Sequence, residues 1–256
     1  MSTTGRHVSR RAALGFGAAL LTLGSESAAF GEAGAFGARL LEAGRRTPLG
    51  PRATAGARWA EELVRRTSAP GRLKAGSVAA DRPALLKEPF AVWCGSEDMG
   101  PLSGAELRGL ERFLRLGGML VVDDASGGVF GRAARREMAR VLPETPPVRL
   151  DPGHVLYKSF YIVDRPVGRL LGSPHVDAVV RGKNAQVLFL DHDLLGALAR
   201  EGESWALDVS PGGARQREEA VRFAVNIAMY ALCSDYKDDQ VHAPFIMRRR
   251  VRTDAP

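Results

Sequence analysis

The chain has 256 residues, 45% hydrophobic and 25% charged, which is enough apolar content to bury an ordinary core and excludes disorder throughout. The formal net charge is +7, yet the basic residues are spread along the chain and cluster only at Arg248-Arg249-Arg250-Val251-Arg252. No aromatic and basic platform accompanies them, so nucleic acid is not the expected partner. The two cysteines, Cys94 and Cys233, lie in no CxxC or Cys/His cluster, which argues against zinc and reads as two buried free thiols.

At the N-terminus, Ser9-Arg10-Arg11-Ala12-Ala13-Leu14 resembles the twin-arginine export motif, with Ser9, Arg10, Arg11 and Leu14 as its key positions. An apolar segment, Ala12 to Leu23, follows, and small residues at Ser27-Ala28-Ala29 and Ala33-Gly34-Ala35 offer cleavage sites. The run is shorter than the roughly 20 residues a bilayer needs and is interrupted by glycines. Residues 1–35 therefore read as a Tat signal peptide, with the Tat translocase as partner during export. The mature chain is expected to be periplasmic or otherwise exported, with no membrane span.

Residues 36–235 read as one α/β domain, and 236–256 as a basic tail. Phe36 to Leu41 is a candidate first strand, Gly44 to Gly56 a loop, and Arg58 to Val64 an amphipathic helix with Trp59 and Leu63 inward. Lys74 to Ala79 is a second strand, and Pro83 and Pro89 bracket a short turn or helix. Phe90-Ala91-Val92-Trp93-Cys94, ended by Gly95, suits a buried parallel strand. Ser103 and Glu106 have capping-box spacing ahead of Leu107, Leu110, Phe113 and Leu114, and Gly117-Gly118 stops that helix. Met119 to Asp123 is the next strand, giving a right-handed strand, helix, strand unit. A helix from about Phe130 to Leu142 is halted by Pro143. Short aromatic stretches follow at Val148 to Leu150 and His154 to Val163. Val176 to Val180 and Ala185 to Leu190 form a hairpin about Arg181-Gly182-Lys183-Asn184. Glu201 to Gly213 reads as a mobile linker around an isolated Trp205, and Glu218 to Leu232 is a closing helix.

Several ordered blocks together resemble the bacterial DUF4159 family: Phe36-Gly37-Ala38-Arg39-Leu40, Arg65-Arg66-Thr67-Ser68, Pro89-Phe90, Asp123-Asp124 with Gly127-Gly128, Arg135-Arg136-Glu137-Met138, His154-Val155-Leu156-Tyr157, and Asn226-Ile227 with Tyr230-Ala231-Leu232. The resemblance spans about Phe36 to Leu232. It implies a mostly parallel open sheet with helices on both faces, flavodoxin-like and glutamine amidotransferase-like, with a C-terminal hairpin and closing helix. Proteins of this kind occur near MoxR-type ATPases and von Willebrand A-type proteins, which implies an assembly or envelope role. Kinship of fold does not establish an activity.

The chemistry-bearing candidates gather at strand ends. Cys94 ends a strand, as an amidotransferase-like nucleophile would, but Trp93-Cys94-Gly95-Ser96 lacks the preceding glycine of a tight elbow, and no sequence feature pairs His154, His175 or His192 with it. The corner Asp123-Asp124-Ala125-Ser126-Gly127-Gly128 offers carboxylates and a hydroxyl to a hard cation such as Mg²⁺ or Ca²⁺, and weakly resembles a D-x-S-x-S metal motif in which Gly128 replaces the last serine. Its glycine amides can instead cradle an anion, or one aspartate can cap the following helix while the glycines turn the chain. Asp191-His192-Asp193 is the second cluster, where a His flanked by carboxylates can be a base, a metal ligand or a pH-sensitive switch; strand alternation can put Asp191 and Asp193 on one face with His192 pointing away, and a loop-cap role is the favoured alternative. Arg135, Arg136 and Glu137 read as a solvated ion-pair face. Three readings stay open: a non-catalytic binding or assembly component with a degenerate amidotransferase-like site and an envelope partner, a metal-assisted hydrolase using Asp123, Asp124 and His192, or a purely structural partner-binding domain whose corner is only a cap.

Overall fold

The computed structural model describes residues 34–253 apart from 46 and 75, and side chains as far as residue 234. The export motif and the side chains of the basic tail lie outside that range. The described chain is organised on a seven-stranded sheet in the order β2-β1-β3-β4-β7-β6-β5, whose strands are β1 (Arg39–Glu42), β2 (Ser77–Ala79), β3 (Phe90–Gly95), β4 (Met119–Asp124), β5 (Val148–Arg149), β6 (Asp177–Arg181) and β7 (Asn184–Leu190). The first five in that order are parallel, and β6 and β5 extend the sheet antiparallel. The parallel part has the 2-1-3-4-5 order of doubly wound sheets of flavodoxin type. The mostly parallel α/β architecture, the β6–β7 hairpin and the closing helix are thus as the sequence pattern implied.

Two apolar layers cover the sheet. On one face lie α1 (Ala55–Thr67), the short α4 (Leu194–Leu198) and α5 (Gly213–Thr253). On the other lie α2 (Gly104–Arg115), α3 (Val129–Val141) and a 3-10 turn at Pro83–Lys87. Both faces being covered explains why β3 and β4 are buried along their whole length and read as continuous apolar runs rather than alternating ones. Trp59 anchors the first layer: its ring is buried against Phe36 and Phe90, and its indole N–H donates to the Ala224 carbonyl of α5 at 2.7 Å. The Ser103 and Glu106 capping box opens α2 as its spacing predicted.

The aromatic stretch His154 to Val163 holds a 3-10 turn at Val155–Lys158, and the buried Asn226 side chain of α5 bonds the backbone of Phe160 and Tyr161 as a neighbouring strand would. Two stretches differ from expectation. The segment from Glu201 folds back as a two-stranded hairpin of β8 (Arg200–Glu201) and β9 (Ser204–Trp205), and Trp205 is not isolated. Its ring takes the guanidiniums of Arg58, Arg200 and Arg217 at 5.3, 4.8 and 4.5 Å. The closing helix is also longer than its apolar repeat, 41 residues in all, and continues into the basic tail. No helix among the described residues is long and apolar enough to cross a membrane.

Candidate functional site

The candidate residues converge on the carboxyl ends of β3, β4 and β7, the side of an open α/β sheet where ligands are held. Cys94 and Asp123 are register partners on adjacent strands, so their side chains project to the same face, toward α4. Asp124, one residue on, projects to the opposite face, toward α3.

The helix α4 explains what Asp123 does there. All five of its residues are buried, so water cannot satisfy its first amides. Asp123 Oδ1 and Oδ2 accept from the amides of Leu194 and Leu195, each at 2.8 Å. Asp193 Oδ1 accepts from Gly196 at 3.1 Å, and the Asp193 carbonyl accepts from Ala197 at 3.2 Å. Every donor of that first turn therefore has a partner, and both carboxylates are committed to it. Asp193 reaches its position in the left-handed conformation at φ 53°, which aspartate tolerates better than most side chains. Its fully buried carboxylate is held by Arg52, at 2.6 and 2.7 Å, and by Arg169.

Burial, and then the negative charge of Asp193, push the Asp123 carboxyl up to about 7, against the amides of Leu195 and Leu194 and the Arg52 guanidinium, which favour the carboxylate. Cys94 is buried beside them, and burial, then the charges of Asp123 and Asp193, push its thiol well above the ordinary range. The nucleophilic form of a cysteine is the thiolate, so this sulfur is held in its unreactive state. The strand also runs straight through Gly95, with no elbow, and Trp93 packs edge-on against Phe130 on the opposite face at 5.5 Å. Iodoacetamide is expected to modify one thiol per native chain, the exposed Cys233, and both after denaturation. Rapid labelling of Cys94 in the native protein, located by peptide mass mapping, would contradict this assignment. The expectation of two buried thiols is corrected on that point, since Cys233 is exposed.

On the other face, Asp124 Oδ1 accepts from the Ser126 amide at 2.8 Å and from the Ser126 hydroxyl, whose oxygen in turn accepts from the Phe130 amide of α3 at 3.0 Å. Gly127 and Gly128, at φ 71° and 123°, make the turn that L side chains avoid. Asp124 Oδ2 is buried without a hydrogen-bond partner among the described residues. The two aspartates that the sequence grouped into one cation corner are therefore parted by the sheet. Among the described residues no group of three His, Cys, Asp or Glu side chains is arranged to hold a metal ion.

His192 does not join either set. Its Nε2 lies 2.7 Å from the Ser173 carbonyl, and its Nδ1 is 3.1 Å from Asp191 Oδ1 without hydrogen-bonding geometry. Burial lowers its pKa, with Asp191 opposing. The ring thus faces the loop that runs through Ser173 rather than Cys94. His154 accepts from the Leu156 amide at 3.1 Å through Nδ1, opening a 3-10 turn, and His175 Nε2 lies 3.7 Å from Asp177. Neither is paired with the thiol.

Sequence reasoning missed Arg52 and Arg169, because nothing local marks a loop arginine as the partner of an aspartate 141 or 24 residues away. It also read Glu137 as solvated. The structure buries it, and Oε2 accepts from the Leu102 amide at 3.0 Å and from Arg140, while Arg136 does lie on an exposed ion pair with Asp98 at 3.1 Å.

Comparison with curated proteins finds no match. A family model, the domain of unknown function DUF4159, matches residues 52–232, which takes in α1, every strand from β2 to β9, and the part of α5 that packs on the sheet. The chain belongs to the DUF4159 family.

Proposed function

We propose that this domain works as a non-catalytic binding or assembly component of the cell envelope, delivered there by the twin-arginine route, with an amidotransferase-like nucleophile position that is closed. One observation carries the reading: Cys94, Asp123, Asp193 and His192, the side chains nearest the amidotransferase-like position, are engaged in holding the fold. Cys94 is sealed beside Asp123, Asp123 and Asp193 complete the first turn of α4, and His192 faces another loop. A nucleophile needs a base within reach, and His154, His175 and His192 are each engaged elsewhere than at Cys94. The sheet end is nonetheless closely bonded, which suits a surface that positions a partner.

Two experiments test the two halves of this proposal. Substituting Arg10→Lys and Arg11→Lys together should retain the protein in the cytosol, as seen by fractionation, because the transport pathway reads the arginine pair. Export at the unsubstituted level would sink the targeting half. Affinity capture from envelope extract with the mature chain should retain a partner, and Cys94→Ser should retain it equally. A turnover reaction that Cys94→Ser or Asp124→Asn abolishes would overturn the non-catalytic half.

A further inference from the structure

The open end of the sheet has a second feature, away from the buried acids. In the 2-1-3-4-5 order the chain leaves β1 toward β2 on one side and enters β3 on the other, so the loops after β1 and β3 diverge and leave a crevice between them. Here that crevice is a concave dish lined by Arg45 from the loop after β1, by Asp98, Met99, Gly100 and Pro101 from the loop after β3, and by Arg136 of α3.

The dish is held in shape from several sides. The Arg45 amide donates to the Met99 carbonyl at 2.7 Å, and the Gly44 amide donates to Glu106 Oε1 at 2.7 Å. Gly44 sits at φ 69°, and a Cβ there would lie 2.8 Å from the Met99 carbonyl oxygen, so this close approach of the two loops requires glycine. The buried Glu137 carboxylate fixes the far end of the second loop through the Leu102 amide. Asp98 accepts from the Gly100 amide at 2.8 Å and from Arg136 Nη2 at 3.1 Å, while Arg45 Nη2 donates to the Asp98 carbonyl at 2.8 Å.

The Arg136 guanidinium thus meets the Asp98 carboxylate and the Arg45 guanidinium the Asp98 carbonyl, and the lining carries a net charge of +1 (Arg45 and Arg136 against Asp98). Each guanidinium has five N–H donors in a planar fork. Among the described residues, the hydrogen bonds of Arg45 use only Nη2, and those of Arg136 use Nε and Nη2. Donors remain on both, flanking a floor with no charged side chain from Met99 to Pro101. Arginine forks match the geometry of carboxylate and phosphate oxygens.

We infer that the dish between the loops after β1 and β3 binds the oxyanion of a small ligand, phosphate or carboxylate, between Arg45 and Arg136. This deepens the reading of the domain as a binding module and rests on it.

The test is calorimetric titration of the full chain with inorganic phosphate and, separately, with acetate, each at constant ionic strength. Saturable binding of at least one is expected, weakened about tenfold or more by Arg136→Gln and by Arg45→Gln and left within about twofold by Arg132→Gln, an exposed arginine on the same helix outside the dish. Whichever anion binds more tightly names the oxyanion. Absence of saturation by both, or equal weakening by all three substitutions, overturns the assignment, since the latter would report only general charge. Either of those failures leaves the envelope-capture result standing, so the two proposals fail separately. Circular dichroism of each variant checks that the fold is retained.

Discussion

Asp123→Ala is expected to lower stability by about 3 kcal/mol, because the amides of Leu194 and Leu195 would be left buried with no acceptor at a helix start that water does not reach. For a domain of this size that corresponds to a fall of roughly 6–12 °C in melting temperature. Asp123→Asn keeps one acceptor oxygen and is expected to cost less. The same pair of proteins reads the titration of the site. Asp123 is raised to about 7 from an ordinary value near 3.8, so the folded state takes up its proton more readily than the unfolded one. Its contribution is fully present below the unfolded value and is lost as pH rises through about 7. The melting temperature of the native protein, measured relative to Asp123→Asn, should therefore fall between about pH 4 and pH 8. Parallel pH profiles for the two proteins would show that Asp123 is not the titrating group.

Asp193→Ala is expected to cost about as much, on the order of 3–4 kcal/mol. It removes the acceptor for Gly196, strands the half-buried guanidiniums of Arg52 and Arg169 without their carboxylate, and leaves alanine in a left-handed conformation. Asp193→Asn separates these contributions, since it keeps the acceptor and tolerates the conformation while losing the charge. It should recover part of the loss in urea unfolding. A cost below about 1 kcal/mol for Asp193→Ala would mean that the arginines find other partners and that the ion pairs do not hold this corner together.

Much of this frame could be read from the residues, and the limits of that reading have physical causes. The β3, α2, β4 unit was visible because its signals are local: a capping box at Ser103 and Glu106, a helical repeat, a stop at Gly117-Gly118 and a strand ending in acids. Which helix the acids serve was not visible. Helix α4 has five residues, too few to show a 3.6-residue period, and its partner Asp123 is 71 residues earlier in the chain. A carboxylate that caps a distant helix and one that binds a cation look the same until the burial of α4 is known. Alternation along β4 did carry one unused signal, because adjacent Asp123 and Asp124 must face opposite sides of a sheet covered on both. The hairpin at Trp205 was missed for a similar reason. Its anchors, Arg58, Arg200 and Arg217, come from three separate segments, and only the fold brings them to one ring.

The acidic corner at the end of β4 holds the starts of α4 and α3. Thermal melting in saturating Mg²⁺ or Ca²⁺ and in EDTA shows whether it also holds a metal ion, because a ligand that binds only the folded state must raise its apparent stability. The Asp124 oxygen with no partner, Oδ2, is where a cation would have to be held, so Asp124→Asn is the matching variant. The same melting temperature is expected with either ion and with EDTA. A rise with a divalent ion that disappears in Asp124→Asn would contradict it.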